Sequence, residues 1–158
     1  MPRWSRGEAE VERQVRLARL QYVMGAEADG APLLETALRT LDTAATLVKA
    51  DARSAYVLAY DAARLACTAL LAQQGMRATT EGGHATVDEV VRAQFGDGFR
   101  PFTDLRRRRN ELEYPRLPAD TTTADEAEQA VKTAELLISA AGNLLGELSF
   151  FAQPESRG

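Results

Sequence analysis

The segment Ala52 to Gln74, ARSAYVLAYDAARLACTALLAQQ, is apolar on nearly every side of a helical wheel. A helix of that kind needs apolar neighbours all round, so the rest of the chain must wrap it in other helices. Its polar exceptions, Asp61, Arg64 and Thr68, fall at i, i+3 and i+7 on one face. Asp61 and Arg64 interrupt the apolar centre, which argues against a membrane span. With 28 alanines, 19 leucines and 6% aromatics, the chain favours helix over sheet. The expected fold class is all-α: an up-and-down bundle of four to five helices with an extra N-terminal helix.

The organisation follows from caps and periodicity. Ser5 and Glu8 have capping-box spacing, so a first helix is expected from about Arg6 to Met24. Its acids come early and its arginines late, as the helix dipole prefers. Gly25 to Gly30 reads as a hinge. A second helix begins near Pro32, with Leu34, Ala37, Leu38, Leu41, Ala45 and Val48 at helical spacing. The third is the apolar segment, stopped by Gly75. The stretch from Met76 to His84 reads as a loop, and Thr86 with Glu89 as a cap opening a short helix to Phe95. Pro101 starts a helix that ends near Glu113, and Thr123 with Glu126 caps a long last one. Residues 1–28 are thus expected to form an accessory helix, 29–152 the bundle, and 153–158 a disordered tail.

Charge and composition exclude several function classes. One cysteine and one histidine leave no disulfide framework and no Cys/His metal site, so neither metal nor cofactor is expected. Cys67, among apolar neighbours, reads as core packing. The charged amino terminus lacks the apolar stretch of a signal peptide, which favours a cytoplasmic protein with no membrane partner. A net charge of −4 argues against a general nucleic-acid coat protein. Residues 92–116 nevertheless carry seven arginines against four acids, a local patch suited to a phosphate-bearing partner.

That patch contains the most informative stretch, Phe102 to Pro115. At 100° per residue Phe102, Leu105, Arg109 and Leu112 share one face, while Arg106, Arg107 and Arg108 fan outwards. An arginine on an apolar face needs an anionic or hydrogen-bonding partner, because burying it alone is costly. The plainer alternative is an i, i+4 pair with Glu113. Arg109-Asn110 followed by Tyr114 resembles the Arg-Asn-x-x-x-His signature of HEPN domains, near the end of their penultimate helix. The alanine-rich helix, the loop ending in His84, the short helix and the final long helix follow the family's order over roughly residues 31–150.

The resemblance implies a homodimer with two motif copies facing across a cleft, and metal-independent endoribonuclease activity in active members. Carried over, Arg109 takes the catalytic phosphate contact, Asn110 orients the site, and Arg106, Arg107 and Arg108 add phosphate attraction. The family's histidine position is Tyr114. A tyrosine ordinarily titrates near ~10, which makes it a poor general base at neutral pH, although it can donate to a phosphate or stack on a base. His84 has two readings, a displaced acid/base residue or a residue fixing a helix start. Asp61 and Arg64 either line the cleft or form a local ion pair. Trp4 has no assignable role. Two functions follow. One is an RNA- or nucleotide-acting protein, as in a toxin–antitoxin pair whose minimal nucleotidyltransferase partner targets Tyr114. The other is a non-catalytic dimeric scaffold for nucleotide or a protein partner.

Overall fold

The computed structural model describes residues 2–80 and 83–152, and the expected tail at 153–158 lies outside them. The described elements are α1 (Glu8–Arg16), β1 (Leu20–Tyr22), α2 (Ala31–Leu47), α3 (Ala52–Gln73), β2 (Met76–Ala78), α4 (Gly83–Phe95), α5 (Arg100–Glu113) and α6 (Ala124–Leu145). Single 3-10 turns lie at Gly25–Ala28 and Gly96–Phe99. The protein is therefore an all-α bundle with one two-stranded sheet.

α3 is the axis of the bundle. It packs against α2 and α6 along its length, and against α4, α5 and β2. Ala55, Ala59, Ala62, Ala63, Ala66 and Ala69 on α3 are wholly buried, in company with Ala37 and Ala44 of α2 and Ala134 and Ala141 of α6. Faces made of alanine let helix axes approach to the short end of the usual ~8–10 Å spacing. By length and composition alone α3 is apolar enough to cross a membrane, yet 67% of its most apolar window is buried inside the protein. Cys67 lies in this core, and burial pushes its thiol pKa well up. Asp51 caps α3, accepting hydrogen bonds from the Ser54 amide at 3.0 Å and the Ser54 hydroxyl at 2.6 Å; these hold its carboxyl below the usual range. Thr123 caps α6 through the Glu126 amide, as its spacing predicts. Gly75, at φ 72°, ends α3.

The amino-terminal segment differs from its sequence reading. α1 stops at Arg16, and Ala18 turns the chain at φ 57° so that β1 pairs antiparallel with β2, Leu20 opposite Ala78. Leu20 is buried there, and the Thr79 hydroxyl donates to the Ala18 carbonyl at 2.7 Å. Tertiary pairing overrides a helical propensity that is only a weak prior. β2 likewise occupies part of the expected loop. Nor is α1 a detached arm. Its buried Gln14 donates to Glu10 on its own helix and to Glu89 on α4, and accepts from Thr86. Thr86 is thus inside α4 rather than capping it. The Trp4 indole donates to the Gln94 carbonyl at 2.7 Å and its ring lies 5.0 Å from that of Phe95.

No Ser5 side chain caps α1. Gly7 stands at its N-cap, at φ 76°, where an added Cβ would meet the backbone carbon of Ala93 at 2.6 Å. Both the left-handed conformation and the close approach require glycine. Gly7→Ala should therefore lower the unfolding free energy by about 2 kcal/mol, read by urea denaturation.

Candidate functional site

Three helices converge at Tyr60. This side chain, in the middle of α3, is wholly buried, and its ring stacks on Phe102 of α5 with centroids 5.7 Å apart and planes 4° from parallel. Its hydroxyl is 2.6 Å from Nδ1 of His84, in the first turn of α4. From α5, the Arg109 guanidinium lies over the same ring, 5.7 Å from its centroid, within cation–π range. Arg64 sits one turn along α3 from Tyr60 and adds a second positive charge that acts on both Tyr60 and His84. Burial raises the Tyr60 hydroxyl pKa far above its ordinary value despite the neighbouring arginines, so it stays protonated. Burial first, then Arg64 and Arg109, hold the His84 imidazole below its usual pKa. Tyr60 and His84 therefore meet as neutral partners at neutral pH.

The two arginines share one peculiarity: the Nε of Arg64 and the Nε of Arg109 are both buried and meet no hydrogen-bond acceptor. Arg109 does pair with Glu113, at 3.9 Å, but through Nη2 and with a carboxylate that Arg53 also reaches at 3.7 Å. Asp61 and Arg64 form no ion pair within 4.0 Å of each other. Guanidinium donors and a neutral imidazole around Tyr60 suit an anion with several oxygens. Among the described residues there is no group of three or more side chains suited to hold a metal ion.

The other arginines of the motif divide by position on α5. Phe102, Leu105 and Leu112 are buried on the core face, and half-buried Arg109 shares it, as the helical spacing predicts. Arg106 and Arg108 do not fan outwards. α5 packs on α3 with α4 and α6 on either side, so the residues flanking the core face reach acids on those helices. Arg106 meets the buried Asp88 of α4 at 3.1 Å, and Asp88 also accepts from the Thr103 hydroxyl at 2.7 Å. Arg108 meets Glu126 of α6 and Glu111, each at 2.9 Å, and donates to the Thr121 carbonyl at 3.2 Å. Burial opposes ionisation of Glu126, but its bonds with Thr122 and Arg108 keep its pKa below the ordinary value. Arg107 alone of the run is exposed and without an ion pair.

The model of the HEPN domain matches residues 31–144, most of the chain. The protein belongs to the HEPN family. Membership ties it to nucleotide- and RNA-related function in general. No curated protein and no solved structure is significantly similar to it.

Within this HEPN domain the motif is divided between two places. Arg109 faces Tyr60 and His84, whereas Tyr114, at the family's histidine position, is 79% exposed just beyond α5. Its amide donates to the Asn110 carbonyl at 2.9 Å, and with Asn110, Glu111, Arg116 and Asp120 it lines a separate shallow hollow of about 510 Å³. Sequence reasoning passed over Tyr60, although its i, i+4 relation to Arg64 was a usable signal.

The division of the arginines has a stability consequence. Asp88→Ala leaves Arg106 without its partner in a mostly buried setting, and should lower the unfolding free energy by about 3 kcal/mol. Arg107→Ala should change it by less than about 0.5 kcal/mol. Urea unfolding of the two variants side by side checks both values.

Proposed function

We propose that this HEPN protein binds RNA, or nucleotide, by seating a phosphate between the Arg64 and Arg109 guanidiniums, in a cleft completed by a second copy of the chain. The observation that carries this reading is the pair of buried Nε atoms, from two different helices, that no protein acceptor meets. Buried cationic donors without acceptors destabilise the empty site, and a phosphate satisfies several at once. The planar guanidinium fork matches phosphate oxygens in geometry as well as charge. Exposed Arg107, on the outer side of α5, adds longer-range attraction without fixed geometry. Asn110 and Tyr114 stand exposed at the end of α5, where a second copy can approach them.

Taken further along the family's pattern, the reading is of a metal-independent endoribonuclease, the toxin of a pair whose partner is a minimal nucleotidyltransferase. Exposed Tyr114 is then the tyrosine that such a partner reaches. The second reading, a non-catalytic dimeric scaffold, is favoured by the same residue. Tyr114 lacks the histidine's proton chemistry and does not share the Arg109 face.

Arg109→Ala should weaken binding of short single-stranded RNA at least tenfold by fluorescence anisotropy, with an unchanged circular dichroism spectrum. Arg107→Ala should mainly reduce the salt dependence of binding. Sedimentation velocity at micromolar concentration should give a dimer, and a monomer would sink the composite cleft. If wild type and Tyr114→His bind and cut no RNA in a broad panel, while a protein partner binds tightly, the scaffold reading stands instead.

A further inference from the structure

The chain's sole histidine is hydrogen-bonded to its most deeply enclosed tyrosine, beside two arginines with unmet donors. We propose that His84 is the proton-accepting residue of this site: a phosphate bound by Arg64 and Arg109 draws a proton onto the imidazole, which then donates Nε2–H to that phosphate. The inference rests on the phosphate-binding reading, and assigns to α4 the proton chemistry that Tyr114 does not supply.

Geometry limits what the imidazole can do. Tyr60 is fully enclosed and stacked on Phe102, so its hydroxyl is a fixed post and the 2.6 Å bond fixes the ring it holds. The bond occupies Nδ1, and Nε2 has no partner among the described residues. A phenol hydroxyl both donates and accepts. The Tyr60 oxygen can therefore accept from Nδ1–H of the neutral ring, which leaves Nε2 as the basic nitrogen that takes up the proton, and it accepts the same bond from Nδ1–H of the imidazolium. The same contact serves both protonation states, so proton uptake needs no rearrangement of the fold.

The charges facing His84 set the direction of the coupling. From α3 come Tyr60, Asp61 and Arg64; from α5 come Arg106 and Arg109. Asp61 favours the imidazolium and the three guanidiniums oppose it. Arg106 is offset closely by Asp88 at 3.1 Å and Arg109 only loosely by Glu113 at 3.9 Å, so Arg64 and Arg109 are the charges that an incoming anion would most neutralise. In the empty site the imidazole is neutral at pH 7. A bound phosphate cancels the opposing field and adds an attractive one, so the pKa of His84 rises on binding. By linkage, affinity is highest at pH below the free-state pKa. It falls as pH rises from the free-state to the bound-state value, tenfold for each unit between them.

A single histidine makes the test direct, because the imidazole signals in the NMR spectrum of the whole chain need no assignment. The imidazole is titrated alone, with a 2′-O-methyl RNA oligonucleotide that cannot be cleaved by 2′-hydroxyl attack, and with inorganic pyrophosphate. The expected result is a His84 pKa raised by at least one unit with either ligand, and a matching tenfold loss of ligand affinity as pH rises through that interval. Arg109→Gln should raise the free-state pKa, and Tyr60→Phe should change the tautomer ratio. Should RNA bind in an Arg109-dependent manner while the His84 titration stays unchanged, this proposal falls and the phosphate-binding reading survives. If no RNA binds, that reading fails, and pyrophosphate decides the proposal: a raised pKa sustains it, and an unchanged one overturns it.

Discussion

The enclosure of α3 by the rest of the bundle is the constraint on which everything else depends. Its alanines admit α2 and α6 at close range, and its other side is covered by α4 and α5. A helix so enclosed has few places for polar groups. Asp61 and Arg64 stay partly exposed, and Tyr60 is pinned against Phe102 of α5. Tight packing is what makes the site stiff: the ring under Arg109 cannot turn away, so the hydroxyl on His84 has one position.

Electrostatics then divides the arginines into two kinds. Arg106 and Arg108 fasten α5 to α4 and α6 through Asp88 and Glu126, with bonds of 3.1 and 2.9 Å. Arg64 and Arg109 keep buried donors unmet. Adjacent arginines in one run thus do different work, and the difference lies only in which helix each one faces. Arg109 lies on the core side of the run and Arg107 on its exposed side. Burial first, and then Arg64 and Arg109, hold the His84 imidazole below its ordinary pKa.

The family's motif arrives here with its parts separated. Arg109 keeps the inward position, whereas Tyr114 points to solvent beside Asn110. His84 comes from another helix and another part of the sequence, yet meets the same field as Arg109. The amino-terminal segment, outside the matched residues 31–144, supports this arrangement: Gln14 and Trp4 bond to Glu89 and Gln94 of α4, the helix that presents His84.

Periodicity by itself determined the helices that pack on α3 and α3's own burial, because an all-round apolar helix has only one kind of environment. It also put Arg109 on the face of Phe102, Leu105 and Leu112, since helical geometry alone decides which residues share a stripe. Local pattern misjudged the chain where long-range contacts outweigh propensity: Leu20–Tyr22 pairs with Met76–Ala78, and Thr86 answers Gln14 rather than an open helix end. The partners that tie α5 to its neighbours, Asp88 for Arg106 and Glu126 for Arg108, each lie 18 residues away, beyond anything an i, i+4 rule can see. The meeting of Tyr60, His84 and Arg109 was likewise decided only by tertiary structure. Their contacts are made between three helices, and no spacing along the chain encodes how three helices cross.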